Sequence, residues 1–165
     1  MTTSTNDSPM LMIKHPFLVG MEKEHVRMLL EGAKAQQFQP GEILFREGEP
    51  ADSFFLIESG EIALESHCPG DGEIHIQTLH DGDTLGWSWL FAPFAWNFRA
   101  RVLKPARVIR CDGGHLLVLT EEDEHFGNQL MKRIAHLAIQ RLQATREQLV
   151  QVQTILTQAS AMMRS

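Results

Sequence analysis

Between Phe38 and Leu64 the chain reads FQPGEILFREGEPADSFFLIESGEIAL, and single glycines (Gly41, Gly48 and Gly60) interrupt it at short intervals. Pro40-Gly41, Gly48-Glu49-Pro50 and Ser59-Gly60-Glu61 are turn-forming combinations. The pieces between them, Ile43–Phe45, Phe54–Ile57 and Ile62–Leu64, are β-branched and aromatic and too short for helices. A chain punctuated in this way is constrained to an all-β barrel, roll or sandwich.

The spacing predicts eight strands: Gln36–Gln39, Glu42–Arg46, Ser53–Glu58, Glu61–His67, Glu73–Leu79, Thr84–Trp87, Asn97–Lys104 and Ala106–Cys111. Pro69-Gly70-Asp71-Gly72 and Asp81-Gly82-Asp83 are expected turns. An amphipathic helix precedes them, with Val26, Leu29, Leu30 and Ala33 at helical spacing between Glu22 and Ala35. After the strands, Asp112 is a candidate cap for a short helix over Gly113–Leu119, and Thr120-x-x-Asp123 resembles a capping box for a second.

From Glu121 to Met163 there is no proline, and the only glycine is Gly127. Such a helix would extend about 60 Å at 1.5 Å per residue, beyond the width of a compact domain. Ala135, Ala138, Leu142, Thr145, Leu149, Val152, Leu156, Ala159 and Met163 alternate gaps of three and four, which predicts a two-helix coiled coil and a homodimer. Gln140, Gln143, Glu147, Gln151 and Gln158 lie off that seam. Phe126, Leu130, Ile134 and Leu137 form a separate stripe suited to docking on the strands. The expected organisation is a polar, disordered stretch over 1–11, a β unit with its flanking helices over 12–120, and a dimerisation helix over 121–165.

The wording F-x-P-G-E-x-L-F-x-E-G-E-x-A-D-x-F-F-L-I-x-x-G resembles the β-roll of cyclic-nucleotide-binding domains, the sensor module of catabolite-activator-type regulators. GWSWLF (Gly86–Phe91), the aromatic strand after it and QRLQAT (Gln140–Thr145) resemble a single-domain bacterial subgroup of that family. The resemblance implies a mainly β fold, a jelly-roll-like double-stranded β-roll with flanking helices, and dimerisation through the long helix. It also implies a cyclic nucleotide as the family ligand, cradled by a cassette. In that cassette a glutamate after a glycine holds the ribose, and an arginine with a helix N-terminus holds the phosphate.

Here Trp87 follows Gly86 where that glutamate belongs, and Trp96-Asn97 occupies the place of the arginine. If Phe98, Ala100 and Val102 face inward, Arg99 and Arg101 face outward. Trp87, Trp89, Phe91, Phe94, Trp96 and Phe98 crowd this segment in a chain that is only 7% aromatic. Gly86, Trp87, Ser88, Trp89, Leu90, Phe91, Trp96, Asn97, Phe98 and Ala100 are therefore the candidate pocket. Either they line an apolar cavity for a flat or hydrophobic ligand, or they fill it.

Other function classes have less support. There is no G-x-S-x-G, P-loop or H-E-x-x-H motif, so no catalytic residues are expected. A cupin-type metal enzyme usually offers an H-x-H pair, which is absent here; His67, His75 and His80 are the nearest approach, and no metal site is assigned. The net charge of −6, and the lack of a helix-turn-helix after the long helix, argue against direct nucleic-acid binding. No apolar run reaches a bilayer-spanning length, no secretion signal opens the chain, and Cys68 and Cys111 form no paired motif, so a cytoplasmic location is expected. The reading is a non-enzymatic, stand-alone regulatory module that senses a small ligand and signals to a protein partner. The alternatives are a ligand-free dimerisation module and, further off, a cupin-type enzyme.

Overall fold

The computed structural model describes residues 14–164. The stretch expected to be disordered, 1–11, lies outside them.

Helix α1 (Lys23–Leu30) follows a single helical turn at Pro16–Leu18. It ends earlier than the apolar spacing predicts: Leu29 is fully buried, but Ala33 lies beyond the last turn, beside the start of β1. Six strands follow, β1 (Lys34–Phe38), β2 (Ile43–Phe45), β3 (Ser53–Cys68), β4 (Gly72–Leu79), β5 (Thr84–Leu85) and β6 (Arg99–Asp112). All pairings are antiparallel, in the order β1-β6-β3-β4, with β2 on β6 and β5 on β3.

The expected count of eight strands becomes six because two expected breaks are bulges. At Gly60 the chain continues in the left-handed region with φ 114°, and a Cβ there would lie 2.6 Å from both Ala106 Cα and Pro105 O. The β3–β6 register shifts on either side of this point. Gly60 and Pro105 thus bend two long, paired strands past each other without ending them. Asp81 Oδ1 accepts the Gly60 N–H at 2.7 Å, and Lys104 Nζ reaches Glu61 at 2.9 Å.

The first half of β3 and the second half of β6 are covered on both faces, which explains the unbroken apolar run FFLI. Phe54, Leu56, Ile109 and Cys111 face a core shared with Phe17, Leu29, Leu116, Phe126 and Leu130. Phe55, Ile57, Val108, Ile62, Leu64, Ala100 and Val102 face a second core inside the roll.

Helix α2 (Gly113–Glu122) is capped as expected, with Asp112 Oδ1 accepting the His115 N–H at 3.0 Å. The next cap falls on Asp123 and not on Thr120: Asp123 Oδ1 accepts from Phe126 N, while the Thr120 hydroxyl donates to Leu117 O. Asp123, with φ −128° and ψ 101°, is the single residue between α2 and the 40-residue helix α3 (Glu124–Met163). Phe126, Leu130 and Ile134 are buried on the roll side, and every residue from Leu149 to Arg164 is exposed. Among the described residues no helix is long and apolar enough to cross a membrane.

Candidate functional site

The cassette runs from β5 through a single helical turn, Ser88–Leu90, to the start of β6. Its entry is fixed by Gly86, with φ 89°; a Cβ there would meet Ser53 O at 2.9 Å and the Trp96 ring at 3.0 Å. Only glycine allows the indole of Trp96 this close to the backbone.

The candidate pocket residues separate into three groups. Trp89 turns away to the helix-side core: its Nε1–H donates to Gly86 O at 2.7 Å and its ring meets Phe54 edge-on. Leu90 packs there too, whereas Phe91 is half exposed. Trp96, Ala100 and the half-buried Phe98 belong to the roll core. There Trp96 stacks on Phe45 with centroids 3.9 Å apart and planes at 15°, and it approaches Phe55. Gly86, Trp87, Ser88, Asn97 and Phe98 surround what remains of the pocket, together with Phe45, Leu64 and Leu85. That remnant measures about 20 Å³, roughly the space of one water, against about 300–1,000 Å³ for a small-molecule site.

Arg99 and Arg101 do face outward, as strand alternation requires. Both close on Glu65: Arg99 Nη2 and Arg101 Nε reach Oε1 at 2.9 Å, and Arg101 Nη2 reaches Oε2 at 2.9 Å. The Arg101 guanidinium, with Arg99 beside it, holds the Glu65 carboxyl below its usual range against the opposing effect of burial. These two cations are already committed.

A third cation enters from an unexpected direction. Arg141 of α3 lays its guanidinium 4.5 Å from the centroid of the Trp87 ring and 6.0 Å from that of Phe98, and its Nε–H donates to Gln77 Oε1 at 3.0 Å. Burial draws its pKa down to about 10, partly opposed by the charge of Asp83, so it stays charged near neutrality. Sequence reasoning missed Arg141, although it continues the docking stripe four residues after Leu137. Nearby, Gln148 Nε2 donates to His75 O and Arg133 to Phe17 O, so α3 follows the roll well past its apolar stripe.

The expected seam faces away from the roll. Ala135, Ala138, Leu142, Thr145, Leu149, Val152 and Leu156 are all exposed, with Leu142 and Leu149 each 68% accessible. The histidines weighed for a cupin-type centre do not converge: His67 faces Glu73, His75 bonds Thr78 and His80 faces Glu61.

Residues 35–123 match the cyclic nucleotide-binding domain. The chain is 23% identical over 116 residues to the CRP-like cAMP-activated global transcriptional regulator of Mycobacterium tuberculosis, an alignment covering 70% of this chain and 52% of that protein. The chain therefore spans about half the length of that relative. Two solved structures share the fold. One is a putative cyclic nucleotide-binding protein of Geobacter metallireducens, with TM-score 0.73 and 24% identity, covering 82% of this chain and 98% of the other. The other is a cyclic nucleotide-binding domain from Methylobacillus flagellatus, with TM-score 0.72 and 19% identity, covering 88% and 82%. With the β-roll, the cassette position and the matched span in agreement, the chain belongs to the cyclic nucleotide-binding domain family.

Proposed function

We propose that this protein is a non-enzymatic regulatory module whose cassette is occupied by its own side chains and which acts through the outer face of α3. The observation that carries this reading is the filled cassette. Trp96 stacks on Phe45 inside the cassette, Arg141 lies over Trp87 beside it, and about 20 Å³ remains. The seam from Ala135 to Leu156 is the surface left for association, and its heptad spacing fits a parallel homodimer, with a protein partner reading the paired helices. The unpaired Cys68 and Cys111 fit the reducing conditions of the cytoplasm.

A second reading keeps the sensor function. Arg141 is a half-buried guanidinium whose hydrogen-bond partner is an amide and not a carboxylate, so an anion entering the cassette would meet a cation supplied by α3. Occupancy would then displace Arg141 from Trp87 and shift the helix. Titration calorimetry with cyclic AMP and cyclic GMP separates the two. The filled-cassette reading expects no binding tighter than about 10 μM, or ~7 kcal/mol. A tighter constant that is lost in Arg141→Ala would replace it with the sensor reading.

A further inference from the structure

Where α1 meets the first turn of α3, Glu22, His25 and His125 bring three ligand atoms within 4.8 Å of one another. This is the one convergence of three metal-ligating side chains among the described residues, and the cassette does not involve it. Two of the three are histidines, 100 positions apart in sequence, which is why no spacing motif announces them.

The arrangement around His25 is built for a ligand atom. Its ring is nearly enclosed, with 6% of the side chain accessible, and its Nδ1–H donates to Gln129 Oε1 at 3.1 Å. An amide oxygen on Nδ1 fixes the tautomer that leaves a lone pair on Nε2, the supporting contact typical of a metal-bound imidazole. That Nε2 faces Asp123 Oδ2 at 3.8 Å and Glu22 Oε2 at 4.0 Å, both beyond hydrogen-bond range.

Asp123 is itself held, because its Oδ1 caps α3 at Phe126 N and so its Oδ2 is left toward His25. His125 Nε2 completes the group, 2.9 Å from Glu22 Oε1 and 3.5 Å from Gln129 Nε2. Bonds of about 2.0–2.2 Å to a tetrahedral ion place ligand atoms about 3.3–3.6 Å apart. The separations of His125 from Glu22, 2.9 Å, and of His25 from Asp123 and Glu22, 3.8 and 4.0 Å, lie on either side of that value, and the ligand atoms of Glu22, His25 and His125 all fall within 4.8 Å of one another. Small rotations of the exposed Glu22 and His125 would equalise them, and the same exposure provides the ion's way in. Both carboxylates stand at helix N-termini, whose partial positive charge they offset.

We propose that Glu22, His25 and His125 form a zinc-type divalent metal site clasping α1 to the start of α3, with Asp123 Oδ2 beside His25 at its edge and the fourth position left to water. Two imidazoles and carboxylate oxygens suit Zn²⁺ over Mg²⁺ or Ca²⁺. Binding requires His125 to carry its proton on Nδ1, so that both Nε2 atoms ligate. The ion would fix the direction in which α3 leaves Asp123, a structural role and not a catalytic one.

The test uses the full chain without a histidine tag, stripped by chelator and titrated with Zn²⁺ against a competing fluorescent chelator. One zinc per chain is expected, with a raised unfolding temperature and, with Co²⁺ substituted, the visible spectrum of a tetrahedral nitrogen-oxygen site. His125→Ala and Glu22→Gln alter exposed side chains and leave the fold intact; each should weaken zinc at least tenfold and abolish the thermal shift. His67→Ala, at the far end of the roll, should change neither. Failure of the parent to retain zinc through gel filtration would overturn the proposal. So would zinc held equally by the parent and His125→Ala, which would place the ion on scattered surface histidines.

Discussion

The guanidinium of Arg141 lies over the indole face of Trp87, 4.5 Å from its centroid, although 54 residues separate them. A residue of the long helix thereby closes the cassette of the roll. A cation over an aromatic face contributes about 1 kcal/mol, more when shielded from water. Arg141→Ala should therefore lower unfolding stability by about 1–2 kcal/mol and shift tryptophan emission as Trp87 becomes wetter. Equilibrium urea denaturation followed by fluorescence measures both. An unchanged midpoint and spectrum would mean that the contact contributes nothing in solution.

Trp96 is the side chain that fills the cassette, so removing it should leave a cavity bounded by Phe45, Phe55 and Gly86. Trp96→Ala should cost about 3–5 kcal/mol. Because the walls are apolar, added indole should recover part of the loss by occupying the space. Thermal unfolding with and without indole checks this, the parent chain showing no such recovery.

Buried His15 gives folding a defined pH dependence. Its Nδ1 accepts from Phe17 N at 3.2 Å and its Nε2–H donates to Ile57 O at 3.1 Å, so the folded state holds the neutral ring. Burial lowers its pKa from 6.5, against opposing contributions from Ile57 O and Asp83. The unfolded chain thus takes up a proton more readily than the folded one. This contribution is fully present above about pH 6.5, declines as pH falls below it, and levels off once pH passes the lowered folded value. The slope is at most about 1.4 kcal/mol per pH unit. Urea midpoints from pH 8 to 5 should fall less steeply in His15→Gln than in the parent.

The outward stripe of α3 makes a prediction about assembly. Leu149→Glu places a charge in an apolar contact with no partner and should convert a dimer to a monomer. Gln151→Glu, off the stripe, should not. Sedimentation of both beside the parent at low micromolar concentration decides it, and a parent that sediments as a monomer removes the seam.

The parts of this structure legible in sequence are those governed by local rules. Glycine turns and β-branched runs located the roll, and alternation placed Arg99 and Arg101 on the outer face, where Glu65 engages them. Gaps of three and four separated the docking stripe at Phe126, Leu130 and Ile134 from the exposed stripe at Leu142 and Leu149. What was not legible depended on distant segments meeting. Gly60 and Pro105 read as breaks because nothing local shows that each passes beside the other. Trp89 and Trp96 read alike as pocket aromatics, yet one joins the helix-side core and the other the roll core, a difference set by Gly86 between two sheet faces. Arg141 and the Glu22–His25–His125 group required knowing where α3 lies.

The elbow at Asp123 has a consequence for amplification. Helix α3, about 60 Å long, leaves the roll on one non-helical residue at Asp123, is held against it through Arg141 and Gln148, and is exposed from Leu149 onward. A rotation of about 10° at Asp123 that released Arg141 from Trp87 and Gln148 from His75 would sweep the far end through about 10 Å at that length. Side-chain rearrangements too small to alter the roll would thus be magnified at Met163 into displacements comparable to the diameter of a helix.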